Sequence, residues 1–187
     1  QNPQEMLYRN CTQSKAYADI VRKALQLYPC TAASPWNIIL YQDGVNPSDG
    51  LAKNASRKSN VFYWSFLEFG AEALCHEQVW STVTLVRTDD ANRLVDNLGQ
   101  LVQKVLGRFF DTVHDLSSVG VSCNLHGDNL PVHLFAELGV ILADEPALKE
   151  MLQCKGHAGL VCCCLCSNAV QHRRMGRGPA PWESQPL

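Results

Sequence analysis

Apolar residues recur at helical spacing in two stretches of the chain. The first predicts an amphipathic helix over residues 14–28, which Ser14 can cap and Pro29 ends. Its apolar positions are Ala18, Val21, Leu25 and Tyr28. The second predicts a long helix that opens at the acidic pair 89–90, where negative charge suits a helix N-terminus, and runs to about Phe110. Its apolar stripe consists of Leu94, Leu98, Leu101, Val102, Val105 and Phe109.

Shorter apolar runs predict strands between these helices and after them. The runs cover residues 36–41, 61–69, 79–86, 119–125 and 130–142. The turn sequence HGDN predicts that the last two strands form a hairpin. The last run ends in a wholly apolar segment, so we expect that end to be central in a sheet. A short helix follows, with Pro146 in its first turn. This order of elements predicts an α/β fold with a mixed sheet.

The composition is that of a globular protein. Of the 187 residues, 46% are hydrophobic and 18% are charged, which excludes a disordered chain and suits one domain. No run approaches about 18 consecutive apolar residues, so we expect no membrane-spanning helix and no membrane partner. The net charge of -2 argues against bulk-charge coating of nucleic acid but leaves a local basic patch open. The chain opens at Gln1 without a signal sequence, and we expect it to be a fragment.

The cysteines are concentrated in one segment. Five of the nine fall within 13 residues: Cys154, Cys162, Cys163, Cys164 and Cys166. An odd number with three consecutive members disfavours a disulfide framework and favours metal binding in a reducing, intracellular compartment. The spacing C-x2-H at Cys154 and His157, then C-x2-C at Cys163 and Cys166, predicts a structural Zn²⁺ site. His172 is an alternative ligand, and Cys162 and Cys164 fit buried packing positions.

Two aspartates, Asp43 and Asp144, sit in matching contexts. Each follows an apolar strand and precedes a turn or a helix start. Ligands of open α/β sheets gather at the carboxyl ends of strands, and two carboxylates there could share Mg²⁺ or Mn²⁺. Three alternatives stay open: Asp43 with Gly44 is a good turn pair, Asp144 could cap a helix, and Asp128 is a rival second acid within the hairpin turn.

Four short segments resemble a known family. Residues 41–47 read YQDGVNP and resemble the DGxNP segment at the first catalytic aspartate of DDE-type DNA transposases of the CACTA and Plavaka-like kind. Residues 142–148 read LADEPAL, 155–159 read KGHAG and 163–166 read CCLC, and together they resemble the family's GDxPAL…KGHxGxxxCxxC region. The resemblance extends roughly over residues 36–172.

The resemblance implies a ribonuclease-H-like fold, with a mixed sheet, flanking helices and a small Cys-rich segment. The family's first acid lies on the first strand and its second at the end of the fourth, which match Asp43 and Asp144. In the intact protein these would be catalytic and would bind Mg²⁺ or Mn²⁺ for DNA strand cleavage and joining. DNA is then the expected partner, the nucleus the expected location, and a homo-oligomer an expected assembly.

The chain departs from the family at two points. Ala143 stands where the family usually has glycine. No third catalytic acid is assigned, because Glu183 lies in a Pro-rich stretch and Glu145 and Glu150 are too close to Asp144. We therefore expect this fragment to be inactive alone. The competing hypothesis is a non-catalytic zinc-binding interaction module or a degenerate transposon remnant.

Basic residues complete the set of candidates. Lys53, Arg57 and Lys58 follow Asp43 and could contact DNA phosphates, as could a second basic group at 173–177, although either can be a solvated face. The predicted organisation has four parts: an N-terminal helix and linker (1–35), a partial ribonuclease-H-like core (36–153), a Cys/His segment (154–172) and a disordered tail (173–187).

Overall fold

The computed structural model describes residues 2–46, 58–111, 113 and 115–154. Its helices are α1 (Pro3–Gln13), α2 (Lys15–Leu27), α3 (Gly70–Leu74), α4 (Thr88–Ala91), α5 (Asn97–Phe110) and α6 (Glu145–Met151), with 3-10 helices at Leu67–Phe69 and Glu77–Val79. Its strands are β1 (Trp36–Val45), β2 (Ser59–Phe66), β3 (Ser81–Arg87), β4 (Val121–Asn124), β5 (Pro131–Leu134) and β6 (Ala136–Leu142).

Four strands form the main sheet, in the order β3-β2-β1-β6. The first three pair antiparallel in chain order, and β6 returns to pair with β1 in parallel. Strands β4 and β5 form a separate antiparallel pair, which confirms the hairpin that the HGDN turn predicts. The mixed α/β class, with a mixed sheet and flanking helices, is therefore confirmed.

The core lies on one face of the main sheet. Alternate residues of β1 and β2 point into it: Trp36, Ile38, Leu40, Phe62, Trp64 and Phe66. Edge-to-face contacts tie these rings together, with centroids 5.3 Å apart for Trp36 and Phe66 and 5.4 Å apart for Trp64 and Phe66. The stripe of α5 packs on them, and Phe109 meets Trp64 at 5.3 Å. Each such pair contributes about 0.5–1.5 kcal/mol beyond its buried area.

Two helices precede the sheet. The predicted helix over 14–28 is confirmed as α2, and the Ser14 hydroxyl accepts a hydrogen bond from the Tyr17 amide at its start. Helix α1 was not predicted from the sequence, because it buries a narrow stripe: Pro3, Gln4, Leu7 and Cys11. It packs against the hairpin, where the His126 amide donates to the Cys11 carbonyl at 2.8 Å.

Two predicted elements are wrong in detail. The predicted strand over 130–142 breaks at Phe135, whose amide donates to the Cys30 sulfur at 3.1 Å and whose carbonyl accepts from the Trp36 amide at 2.9 Å. These contacts transfer the chain from the hairpin to the main sheet. Within the described residues β6 then lies at the sheet edge rather than its centre. The predicted helix from 89 to 110 is likewise two helices, α4 and α5, with a break before Asn97, whose φ is 45°.

Replacing Leu40 by alanine tests the position of the core. Leu40 is fully buried, so we expect the free energy of unfolding to fall by about 2–5 kcal/mol in urea denaturation. Leu85 on β3 is 61% exposed, and its alanine variant should change by less than about 0.5 kcal/mol. Equal losses in the two variants would contradict this core.

Candidate metal centre

The pairing of β1 with β6 brings the two predicted acids to the same edge of the main sheet. Tyr41 is level with Leu142 in this parallel pair, and Asp43 and Asp144 each lie two residues further along. Both aspartates are exposed. Because parallel strands end at the same edge of a sheet, the acids occupy neighbouring positions there although 101 positions separate them in the sequence.

A one-residue irregularity makes the two acids level. Ile38 pairs with Leu138, but Ile39 pairs with Val140, so one residue, Gly139, is extra on β6. A Cβ atom on Gly139 would lie 2.6 Å from the Cβ atom of Asn37, which only glycine avoids. Without this shift, the register would place Ala143 beside Asp43 instead of Asp144.

The Tyr41 side chain interacts with both carboxylates. Tyr41 and Asp43 are two residues apart on β1 and therefore share a face of the sheet. The pKa of Tyr41 is raised, first by burial, then by the negative charge of Asp43 and by a side-chain hydrogen bond to it. The negative charge of Asp144 contributes to the same rise. One phenol is thus within electrostatic range of both acids.

Backbone amides hold both carboxylates. Asp43 Oδ1 accepts a hydrogen bond from the Gly44 amide at 2.7 Å, and Asp144 Oδ1 accepts one from the Ala147 amide at 2.8 Å. Asp144 is therefore the cap of α6, as one sequence alternative predicts. The turn alternative for Asp43 is wrong, because Asp43 and Gly44 both pair with β2. A carboxylate offers about four lone-pair positions, so capping leaves capacity for a cation.

Two carboxylates fit a hard cation that keeps part of its water shell. Mg²⁺ binds through one or two carboxylates, with water and phosphate oxygens completing its octahedron. Among the described residues, no group of three His, Cys, Asp or Glu side chains is arranged to hold a metal. Glu150 instead accepts a hydrogen bond from the Leu98 amide, and Glu145 pairs with Lys149. The third acid therefore stays unassigned.

Asp128, the rival second acid, has a structural role. Its carboxylate pairs with the guanidinium of Arg22, at 3.0 Å from Oδ2 to Nε. Its amide donates to the Leu125 carbonyl at 2.8 Å within the hairpin turn. Asp128 thus fixes the turn against α2, and it does not belong to the strand edge that carries the acid pair.

Of the predicted basic residues, Lys58 is described by the structure. Its side chain crosses Gly44, where an added Cβ atom would lie 2.5 Å from the Lys58 Cε atom. Because successive residues of a strand face opposite sides, Lys58 lies on the side of β1 opposite to the Asp43 side chain. Lys53, Arg57 and the basic group at 173–177 lie outside the described residues.

The predicted zinc ligands fall almost entirely outside the described part of the chain. Cys154 is described and half-buried, whereas His157, Cys163, Cys166 and the alternative His172 lie beyond it. Zinc binding therefore stays a prediction. Cys11, Cys30, Cys75 and Cys123 form no disulfide within the described part of the chain.

Sequence reasoning missed Tyr41 as a member of this site. The signal was present, because alternation along a strand places residues i and i+2 on one face. Applied to β1, it puts Tyr41 beside Asp43. The ring also stacks on Tyr63, its partner on β2, with centroids 5.9 Å apart.

Comparison with protein-family models, with curated proteins and with solved structures found no match. In the described ranges, no helix combines the length and the apolar character needed to cross a membrane. The functional assignment therefore depends on the geometry of the acid pair and on the sequence resemblance.

Replacing Gly139 by alanine tests the register of β6. The new methyl group would overlap Asn37, so we expect a loss of about 1–3 kcal/mol in the free energy of unfolding. An Asn37→Gly change removes the opposing Cβ atom, and the double variant should recover part of that loss in a double-mutant cycle. Strict additivity of the two changes would contradict this close approach.

Two substitutions at Asp144 separate its capping role from its charge. Asp144→Ala should lower the free energy of unfolding by about 0.5–2 kcal/mol, because it removes the acceptor for the Ala147 amide. Asp144→Asn retains an acceptor oxygen and should unfold close to wild type in thermal denaturation. Equal destabilisation by the two variants would show that the negative charge, not the cap, stabilises this end of α6.

Proposed function

We propose that this chain is part of the catalytic core of a DDE-type, transposase-like protein that cleaves and joins DNA strands. The carrying observation is the parallel register of β1 and β6, which makes Asp43 and Asp144 neighbours. In this proposal the two carboxylates bind Mg²⁺ or Mn²⁺. We expect this part of the protein to be inactive by itself, because no third acid is assigned among the described residues.

The topology supports a ribonuclease-H-like identity for the core. In that fold the first acid lies on the first strand and the second at the end of the fourth. Asp43 lies on β1, and Asp144 lies two residues after the end of β6, the fourth strand of the main sheet in chain order. This strand order supports the proposed ribonuclease-H-like identity.

The two acids and the residues around them would have different roles in this reaction. A bound divalent ion would activate the attacking oxygen and stabilise the leaving oxygen of a phosphodiester. Asp43 and Asp144 would hold it, oriented by the amides of Gly44 and Ala147. Lys58, which crosses Gly44, would contact a DNA phosphate and position the strand without reading its sequence.

DNA as the partner, a nuclear location and assembly into a homo-oligomer belong to the same proposal. The net charge of -2 means that any DNA affinity must come from a local arrangement of cations. We therefore expect binding to fall steeply as the salt concentration rises.

Calorimetric titration with Mn²⁺ tests the acid pair. Asp43→Asn and Asp144→Asn should each weaken binding by about tenfold or more, since each removes one of two charged ligands. Asp128→Asn is the matched control, because it removes an exposed aspartate that pairs with Arg22 outside the site. Affinity unchanged in both site variants would refute the proposed metal site.

A second candidate is a non-catalytic zinc-binding module or a degenerate transposon remnant. It is motivated by the cysteine-rich segment of the sequence, from Cys154 to Cys166, and by the third acid that stays unassigned. Elemental analysis of the purified protein separates the two candidates. Stoichiometric zinc with no response to Mn²⁺ or Mg²⁺ favours the second candidate, whereas a response that depends on Asp43 favours the first.

A further inference from the structure

The core face of the main sheet changes from apolar to polar at one end. Beyond Leu40 and Phe62, the next residues on this face are Gln42 on β1 and Asn60 on β2. Both amides are buried, with 3% of Gln42 and 6% of Asn60 exposed. Gln42 Nε2 donates to Asn60 Oδ1 at 3.2 Å. The Asn60 Nδ2 group, which carries two donors, therefore lies on the side away from Gln42.

The Lys58 side chain folds back over the end of β1 because Gly44 leaves room for it. A Cβ atom added at Gly44 would lie 2.5 Å from Lys58 Cε and 3.1 Å from Lys58 Nζ. Asn60 is the residue directly opposite Gly44 on the neighbouring strand. Directly opposite residues of an antiparallel pair have Cβ positions about 4.5–5.5 Å apart. The Lys58 ammonium group is thus held close to the Asn60 amide.

Thr88 adds a hydroxyl group beside Lys58. The Thr88 amide donates to the Lys58 carbonyl at 2.9 Å. This bond continues the antiparallel pairing of β2 with β3, so both side chains lie on the same face as Asn60. The Thr88 hydroxyl oxygen is buried, and within the described part of the chain it has no hydrogen-bond partner. Such groups are rare in folded proteins, and an anion that entered beside Lys58 would provide an acceptor.

Lys58 gives this end of the core face a net positive charge. The charged residues that flank Thr88 in the sequence are two basic and two acidic ones, which balance: Arg87, Asp89, Asp90 and Arg93. Asp43 faces the opposite side of β1. An ammonium group, an amide nitrogen and a hydroxyl are all donors, which suits an anion with several acceptor oxygens. Phosphate is the anion of this kind that a DNA strand carries.

We propose that Lys58, Asn60 and Thr88 form a phosphate-binding site for the DNA backbone, on the side of β1 opposite to the acid pair. The choice of DNA as the ligand rests on the proposed function, whereas the choice of a phosphate group rests on the donors themselves. A DNA strand that passes over the end of β1 meets Lys58 on one side and the acid pair on the other. Contacts of this kind position the strand without reading its sequence.

Fluorescence anisotropy with a labelled DNA duplex in EDTA tests this site without a bound metal. Lys58→Gln should weaken binding about tenfold and lower the slope of log affinity against log salt concentration by about one. Thr88→Val removes a hydroxyl and should weaken binding about fivefold. Lys104→Gln is the matched control, because it removes an exposed lysine from α5 and should bind as wild type does. Equal losses in the two lysine variants would overturn the proposal.

Gly44→Ala separates the position of Lys58 from its charge. The added methyl group displaces the flexible end of the Lys58 side chain and leaves the net charge unchanged. We expect DNA affinity to fall toward that of Lys58→Gln, and urea denaturation checks that the fold is retained. Wild-type affinity in both Gly44→Ala and Thr88→Val would refute the site, because Lys58 would then act only as a surface charge.

The aspartate variants distinguish failure of this site from failure of the proposed function. If Lys58→Gln weakens DNA binding while Asp43→Asn and Asp144→Asn leave Mn²⁺ affinity unchanged, the phosphate site stands and the metal site fails. If the aspartate variants weaken Mn²⁺ binding but Lys58→Gln binds DNA as wild type does, the metal site stands and this inference is refuted. Calorimetric binding of inorganic phosphate that depends on Lys58, with DNA affinity that does not, would refute DNA as the ligand.

Discussion

The parallel pairing of β1 with β6 is the constraint from which the candidate site follows. Side chains alternate between the faces of a strand, so a shift of one residue exchanges the residues that meet across a pair. The extra residue at Gly139 provides that shift, and it changes the neighbour of Asp43 from Ala143 to Asp144. A close backbone approach, which the small size of glycine permits, thus sets which residue after β6 is level with Asp43.

The same alternation separates the packing of the sheet from its chemistry. On one face, residues such as Leu40 and Phe62 are buried in the core. On the other face, Tyr41 lies on the same side as Asp43, one of the two acids. Packing of the core face holds each strand rigid. The residues on the opposite face of the sheet therefore have little conformational freedom. Sites built on such elements hold their geometry better than sites built on loops.

Much of the fold could be predicted from local patterns. Helical spacing located α2 and the buried stripe of α5, and the run over 36–41 located β1, because amphipathic periodicity reflects which side meets the core. The break at Phe135 could not be predicted in this way. It depends on Cys30, which is 105 residues distant and contacts Phe135 through its sulfur. The shift at Gly139 is likewise a property of a pair of strands, not of either strand alone.

The candidate site was partly predictable for the same reason. Strand ends suggested that Asp43 and Asp144 are neighbours, whereas the hydrogen bonds that hold each carboxylate depend on the folded backbone. Those hydrogen bonds have opposing effects on cation binding. They reduce the ordering that binding requires, but they also use part of the negative charge that attracts the ion. Two exposed carboxylates restrained in this way suit an ion whose remaining positions are filled by water and by phosphate oxygens. In the proposed function, a substrate phosphate would complete the metal site, which would link cation affinity to nucleic acid binding.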